Sequence, residues 1–417
     1  MSRADAINAA SPAAEAVASG PFSRRFLGFA TAMSLSALGD SAWYIALTWT
    51  LVQHASPGRT GLLLAVAGLP RLIMLLGGGV IADRYGPKRL MVLADLLRCL
   101  VMLLAAVLLA LAGPSVPVLF VAALLLALFS ALFIPASGAV RPLLLADRDL
   151  VRGNAVFSFG SSGGQALGSP VGAGLLALAG VPLVALVNAA SFAVSAVAAW
   201  RVRYVRQPAS QPVQRPPFLR SVGDGFRYLR TQHRLALVVL VVGLIELSCA
   251  PPVNIGLVLL APKLHQAAGG AGLLLTGYTV GAIGSTVLTM VWPPKRRSGA
   301  SLVLNTMLAG LAVGSIGLLH SLPLALLMYL AIGGTTGQLG VLLMSMLQRW
   351  SDRAVTGRVM AVVSILSFGS VPVANVLTGW LVPSIGIGTT MAAFGLLSLM
   401  GSAVALAHPQ LRRARLD

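Results

Sequence analysis

Charged side chains are scarce in this chain. Only 10% of its 417 residues are charged, and Asp and Glu together number 11. A soluble domain usually has about a quarter of its residues charged. The hydrophobic share is 57%, and the mean hydropathy is +0.87. A water-soluble core cannot bury that much apolar surface, so the composition excludes a soluble globular protein.

Cysteine is rare, and motifs for catalysis or for holding metal are lacking. Cys99 and Cys249 both fall within apolar runs, so neither a disulfide framework nor a metal site is expected. The histidines do not have metal-ligand spacing. The sequence also lacks a phosphate-binding glycine-rich loop followed by Lys and Ser or Thr, so ATP-driven pumping within this chain is not expected. We therefore predict a protein that is not an enzyme and has no metal or cofactor.

Long, continuous apolar runs are abundant. A transmembrane helix needs about 20 apolar residues, whereas membrane β-barrel strands alternate between apolar and polar residues. The runs therefore predict an all-α membrane protein with twelve transmembrane helices in two six-helix pseudo-symmetric bundles. The predicted spans are 26–53, 60–83, 89–112, 116–140, 152–178, 182–203, 235–261, 271–292, 300–319, 323–347, 359–381 and 386–407.

The basic residues predict the orientation of these helices. In a soluble protein a net charge of +19 would suggest a nucleic-acid partner, but here 26 of the 30 Lys and Arg residues occupy alternate connections and the two ends. Cytoplasmic connections accumulate Lys and Arg. We therefore expect a multi-pass protein of the cytoplasmic (inner) membrane with both termini in the cytosol, and no nucleic-acid partner.

The chain divides into five regions. The predicted cytosolic tails are 1–25 and 408–417, and the two bundles are 26–203 and 235–407. Residues 1–22 lack the basic-then-apolar order of a signal peptide. The linker 204–234 contains the amphipathic run 218–233, whose basic face suits anionic lipid headgroups. A solvated linker without further function is the alternative.

A faint internal repeat supports the two-bundle prediction. Three sequence features of the first half each have a counterpart six spans later, at 205 to 207 residues further along the chain. The pairs are residues 86–89 with 293–296, residues 147–148 with 352–353, and Asp40 with Glu246. Transporter halves are often duplicated. A parallel duplication of six spans follows from the three pairs taken together.

A motif between spans two and three identifies a family resemblance. Residues 79–89 read Gly-Val-Ile-Ala-Asp-Arg-Tyr-Gly-Pro-Lys-Arg. This resembles the signature loop of the major facilitator superfamily, with Pro87 where that family usually has a basic residue. The resemblance implies a loop that latches the two halves in one conformation. The residues to which this role is assigned are Gly79, Asp83, Arg84, Gly86, Lys88 and Arg89.

The fifth span carries a second motif. Residues 164–174 are similar to the Gly-Pro motif of the superfamily's antiporter branch at Gly164, Gly168, Pro170 and Gly174, with Ser169 and Ala173 where glycines are expected. The resemblance implies export, although small residues there would also serve simple helix packing. Residues 24–407 as a whole are similar to the superfamily's drug and siderophore exporters.

Ionisable residues at membrane depth are functional candidates because each is costly to insert. Asp40 and Glu246 lie near the middle of their spans at equivalent places, so we assign proton coupling to them first. Burial favours the protonated form of a carboxylate, as a proton-coupled antiporter requires. Arg71 is a candidate partner for Asp40. Asp95 and Arg98 are three residues apart, and we expect them to form a local ion pair that supports Asp83.

Aromatic residues near Asp40 and in span five are candidates for a substrate cavity: Trp43, Tyr44, Trp49, Phe157 and Phe159. Packing within the bundle or anchoring at the membrane interface is the alternative.

We therefore predict a proton-coupled exporter of a drug, siderophore or other small natural product, which works as a monomer in the lipid bilayer by alternating access. Two alternatives stay open at this point. One is an importer of a nutrient, and the other is a membrane sensor or assembly protein that does not transport. The proton gradient would supply the energy.

Overall fold

The computed structural model describes residues 23–70, 86–140, 144, 150–201, 218–292, 298–351 and 355–414, and the regular elements in these ranges are helices. The α-helices in these ranges begin with α1 (Arg24–His54), α2 (described over 57–70), α3 (Pro87–Ala112), α4 (Val116–Val140), α5 (Leu150–Arg201), α6 (Phe218–Thr231) and α7 (His233–Val253). They continue with α8 (Ile255–Leu260), α9 (Ala268–Val291), α10 (Ser298–Ile316), α11 (Leu322–Trp350), α12 (Thr356–Ala407) and α13 (Pro409–Arg412).

Eight helices in the described ranges are long and apolar enough to cross a membrane. Two of these, α5 and α12, have 52 residues each. At 1.5 Å per residue each would extend about 78 Å, more than twice the roughly 30 Å hydrocarbon core. Each is broken at a glycine with positive φ, Gly180 at 72° and Gly386 at 77°. Glycine adopts this conformation readily because it has no Cβ.

The contacts of α1 show that the chain reverses at Gly180. The first part of α5 approaches α1 through successive glycines, Gly164 at Ser34, Gly168 at Leu38 and Gly172 at Ala42, so the two helices run parallel. The second part runs the other way, since Asn188 lies at Gly39 whereas Ser195 lies at Met33. Helix α5 therefore contains two antiparallel spans.

The second half repeats this arrangement. The first part of α12 runs parallel to α7, with Leu366 at Gly243 and Ser367 at Glu246. The part after Gly386 runs antiparallel to α7 and α8, with Met391 at Gly256 of α8 and Gly401 at Val241 of α7. The two reversals are 206 residues apart, which is the offset of Asp40 and Glu246. The predicted two-bundle helical fold is confirmed, and the described helices are consistent with twelve spans.

Two elements refine the predicted boundaries. The predicted span 235–261 is divided into α7 and α8, because Asn254, two residues after Pro252, has non-helical φ and ψ of −119° and −127°. Part of the predicted linker forms the amphipathic helix α6. Its Val222 and Leu229 are buried, and its Gly225 packs on the backbone of Arg358 at the start of α12.

The two halves meet near one end of the molecule. We call the end that carries Arg24, Arg201, Arg234 and Arg358 the basic face, and the end that carries the Gly180 and Gly386 reversals the opposite face. Contacts between the halves in the described ranges lie towards the opposite face: Gly58 and Gly61 of α2 on Gly379 and Asn375 of α12, Gly272 of α9 on Ser169 and Pro170 of α5, and Tyr44 of α1 with Asn254. The halves are thus packed together at the opposite face.

Candidate functional site: a charged cavity between the two halves

A cavity of about 740 Å³ lies between the halves. The first half contributes most of its wall, from α1 to α5, and the second half contributes side chains of α7, α9 and α12. Tyr44 links the two halves at its boundary, because its hydroxyl donates to Asn254 Oδ1 at 2.9 Å. A cavity of this size suits a small organic molecule.

The cavity wall contains a cluster of three charged side chains. Arg98 Nη2 lies 2.6 Å from Asp40 Oδ2, and Arg98 Nη1 lies 2.9 Å from Asp95 Oδ1. Asp95 also accepts a hydrogen bond from Ser195 in the second span of α5. The Arg98 guanidinium lies over the ring of Phe192, with 3.9 Å from Cζ to the ring centroid. A single arginine therefore joins three helices.

Burial distinguishes the two carboxylates. Asp95 is 0% exposed and Arg98 is 2% exposed, whereas the side chain of Asp40 is 44% exposed. A buried charge must be paired and hydrogen-bonded to be tolerated. Asp95 meets this requirement inside the protein, and Asp40 meets it while facing the cavity. Asp40 is therefore the member of the cluster that a proton or solute in the cavity can reach.

The ion pair predicted between Asp95 and Arg98 is present, and it extends further than the sequence indicated. Arg98 also binds Asp40, the partner that the sequence analysis had assigned to Arg71. Arg71 and Asp83 lie outside the described residues. The spacing of three residues revealed the local pair, whereas the contact between α1 and α3 carried no signal in the sequence.

The other predicted acid, Glu246, lies in a second cavity of about 330 Å³ within the second half. Ser367 Oγ donates to Glu246 Oε1 at 2.6 Å. Among the described residues, no cation lies within salt-bridge distance of Glu246. Val253, Asn254, Tyr278 and Val371 line both cavities, so the two cavities are neighbours that share a wall.

The five aromatic candidates occupy different environments. Trp43, Tyr44 and Phe157 line the large cavity. Trp49 packs against a hydrophobic cluster that contains Ile45 of α1 as well as residues of the second half, and Phe159 is 72% exposed. Neither lines the two cavities described above.

Sequence reasoning did not single out Tyr278, Asn254 or Ser367. The sequence does carry a signal for Asn254 and another for Ser367. The interruption Pro-Pro-Val-Asn in an apolar run marks Asn254, because interrupted helices often border transporter sites. The 206-residue offset pairs Ser367 with Ser161, which lines the Asp40 cavity.

The fifth-span motif lies on the surface that packs against α1. A Cβ on Gly164 or Gly168 would collide with the α1 backbone, at Ser34 and Leu38 respectively, whereas a Cβ on Gly174 would meet nothing within 4 Å. The Cα of Pro170 lies beside Gly272 of the other half. The motif thus borders both α1 and the contact between the halves.

The loop motif is described only in part. Gly86 precedes α3 with φ of 79°, and Lys88 and Arg89 lie in the first turn of that helix. Gly79, Asp83 and Arg84 lie outside the described residues.

Two pseudo-symmetric helical halves around a charged cavity at membrane depth define a membrane transporter. The described ranges contain no group of three or more His, Cys, Asp or Glu side chains that could hold a metal ion. The model of the Major Facilitator Superfamily matches residues 29–295, which is more than half of the sequence. The chain belongs to this superfamily of membrane transporters, and the predicted family is confirmed.

Two relatives align over almost the whole chain. The multidrug efflux pump Tap of Mycolicibacterium fortuitum is 27% identical over 398 residues, covering 90% of this chain and 93% of Tap. The enterobactin exporter EntS of Escherichia coli O81 is 25% identical over 404 residues, covering 93% of this chain and 89% of EntS.

Solved transporters share the fold. A POT family transporter in complex with 5-aminolevulinic acid superposes with a TM-score of 0.75 at 13% identity, covering 94% of this chain and 98% of that chain. The nucleoside transporter NupG superposes with a TM-score of 0.72 at 13% identity, covering 92% and 98%.

Proposed function

We propose that the protein is a secondary active exporter that exchanges a small amphipathic molecule for protons by alternating access. The single observation that carries the proposal is Asp40, a carboxylate at membrane depth that faces the cavity between the halves while bound to a buried arginine. The names of the two relatives, a multidrug efflux pump and an enterobactin exporter, support export and a drug or siderophore-like substrate.

The charged cluster provides a means of proton coupling. With Asp40, Asp95 and Arg98 all ionised, the cluster has one negative charge in excess. A proton that binds Asp40 removes the attraction between Asp40 and Arg98, while Asp95 keeps Arg98 paired. Protonation therefore loosens α1 from α3 without leaving an unpaired buried charge, whose removal from water would be costly.

The membrane potential supplies the work. Moving one charge inward yields roughly 2.3 kcal/mol for each 100 mV. In this proposal, the contacts between α2 and α12 and between α5 and α9 close the opposite face, and they separate when the halves reorient. The loop 79–89 serves as the conformational latch, and the small residues of the 164–174 motif keep α5 in register with α1.

The environment of the protein follows from the same proposal. We place it as a monomer in the cytoplasmic membrane with the basic face in the cytosol, without a cofactor. Helix α6 rests on anionic lipid headgroups there, because its arginines Arg220, Arg227 and Arg230 are exposed while Val222 and Leu229 are buried. Juxtamembrane basic residues are attracted to such headgroups.

The test is transport in inside-out vesicles with an imposed pH gradient, using a fluorescent cationic drug as the probe. We expect accumulation that collapses when the gradient is dissipated, and loss of accumulation in Asp40→Asn. Ser162→Ala, which does not line either cavity described above, serves as the control. Movement in the import direction, or full gradient-driven transport by Asp40→Asn, would refute the proposal.

A further inference from the structure

The carboxylate of Glu246 differs from the other two in its surroundings. Asp40 and Asp95 share Arg98, whereas the described contact of Glu246 is the hydrogen bond from Ser367 to Oε1. Oε2 accepts no hydrogen bond from a described residue. It is also not among the buried side-chain atoms that lack a hydrogen-bond partner, so it is accessible rather than buried. This oxygen therefore faces open space inside the protein.

That space has the character of a binding pocket for an amphipathic molecule. Its wall is mainly apolar, with Val242, Ile245, Leu343, Met344 and Val363 among the lining side chains. The ring of Tyr278 lines it as well, and the electron-rich face of an aromatic ring attracts cations. One carboxylate in an apolar pocket has a low-dielectric surrounding, in which attraction to a positive charge is stronger than in water.

The balance of charges at membrane depth also favours a cationic ligand. More than five residues from either end of the predicted spans, the sequence contains three carboxylates, Asp40, Asp95 and Glu246, against two arginines, Arg71 and Arg98. Arg98 is taken up by the first two carboxylates. Even if Arg71 neutralised another, the interior of the spans would keep one negative charge in excess. The surplus favours a ligand that carries one positive charge over an anionic one.

We infer that the pocket around Glu246 is the binding site for the cationic group of an amphipathic substrate, a quaternary or protonated amine attached to an apolar body. The cation binds Glu246 Oε2 while Ser367 holds Oε1, and the apolar body lies along α11 and α12. A longer substrate extends past Tyr278 and Asn254 into the Asp40 cavity. The inference deepens the proposed export function and rests on it.

Binding of a charged probe tests the site directly. Benzyltrimethylammonium carries a permanent positive charge, and benzylsulfonate is a near-isosteric anion. With the purified full-length protein in lipid nanodiscs, isothermal titration calorimetry should detect the cation and give no measurable binding of the anion. Glu246→Gln should weaken binding of the cation at least tenfold, because the amide keeps the shape and removes the charge. Asp40→Asn should weaken binding less than Glu246→Gln does. The charge control is Asp224→Asn in α6, outside both cavities, which should stay within about threefold of the unaltered protein.

A second variant examines the pocket without touching a charge. Gly340 lines the pocket, and a Cβ built there would meet nothing within 4 Å, so a larger side chain would fill the cavity. Gly340→Leu should therefore weaken binding of benzyltrimethylammonium at least tenfold. The matched control is Gly163→Leu, at a position in α5 with equal room that lines neither cavity.

Three results would overturn the inference: no binding of the cation by the unaltered protein, full affinity in Glu246→Gln or Gly340→Leu, or a loss in Asp40→Asn as large as that in Glu246→Gln. The last would place the cation at Asp40. These failures are separate from failure of the proposed function. A protein that binds the cation at Glu246 but shows no transport driven by the pH gradient would refute proton-coupled export and keep the site.

Discussion

The two halves of the molecule place a carboxylate at equivalent positions and surround it differently. Asp40 binds the buried Arg98, whereas Glu246 accepts a hydrogen bond from Ser367. At the offset of 206, Asp95 corresponds to Ser301 and Arg98 corresponds to Leu304. The second half therefore has no ion pair where the first half has one.

Neutral side chains occupy the corresponding region of the second half. Asn305 Nδ2 donates to the backbone oxygen of Ser301 at 2.8 Å and to Gln338 Oε1 at 2.7 Å. The duplicated scaffold has been kept while its polar chemistry has diverged. In the mechanism that we propose, one half exchanges a proton at its ion pair, and the other presents the carboxylate of Glu246 to a ligand.

The largest difference between the two halves is expected when Arg98 is replaced. Arg98→Met should lower the free energy of unfolding by about 3–5 kcal/mol, because it leaves Asp95 buried without its cation. Leu304→Met, at the equivalent position of the second half, should have little effect because Leu304 is exposed on the helix surface. Thermal unfolding in nanodiscs would measure both, and equal stability of the two variants would contradict the assigned role of Arg98.

A smaller effect is expected where the halves touch. A Cβ on Gly61 would collide with the backbone oxygen of Asn375, so Gly61→Ala should disfavour the state closed at the opposite face by about 1–3 kcal/mol. Gly28→Ala is the matched control, because nothing lies within 4 Å there. Distances between spin labels at Arg59 and Ser384 should lengthen in the first variant and stay the same in the second. An unchanged distance in Gly61→Ala would indicate that this contact does not set the conformation.

The smallest effect is expected at Ser367 and Ser161, which occupy equivalent positions in the two halves. Ser367 hydrogen-bonds Glu246, whereas Ser161, its counterpart, lines the Asp40 cavity without a hydrogen bond to Asp40. Ser367→Ala should reduce export several-fold, since one intramolecular hydrogen bond makes a net contribution of about 0.5–1.5 kcal/mol. Ser161→Ala should leave export near its original rate in the vesicle assay. Equal losses in the two variants would mean that the serines act alike.

Features that depend on residues close together in the sequence could be predicted, whereas contacts between residues far apart in the sequence could not. The spans could be predicted because apolar runs are local, and the predicted gaps at 178–182 and 381–386 lie over or beside the reversals at Gly180 and Gly386. The repeat placed Asp40 opposite Glu246. The break at Asn254 was not predicted, because the span was placed from the number of apolar residues and no weight was given to the Pro-Pro-Val-Asn interruption within it.

Contacts between distant helices were beyond the sequence. Arg98 and Asp40 are 58 residues apart, and their pairing depends on how α1 packs on α3 through side chains that no local pattern specifies. The same holds for Ser367 and Glu246, which are 121 residues apart. A single sequence shows that these residues are costly to insert, but it does not show which of them is paired.

The chain reversals at the opposite face have a practical consequence for any reagent meant to recognise the protein from that side. The described connections there are short: residues 55–56, 113–115, 261–267 and 317–321 each join two helices, and Gly180 and Gly386 each turn the chain within a continuous helical stretch. An antibody would therefore have few protruding segments to bind on that face. An epitope tag inserted at either glycine would push apart two spans that the turn holds together, so binders and tags should be directed to the basic face.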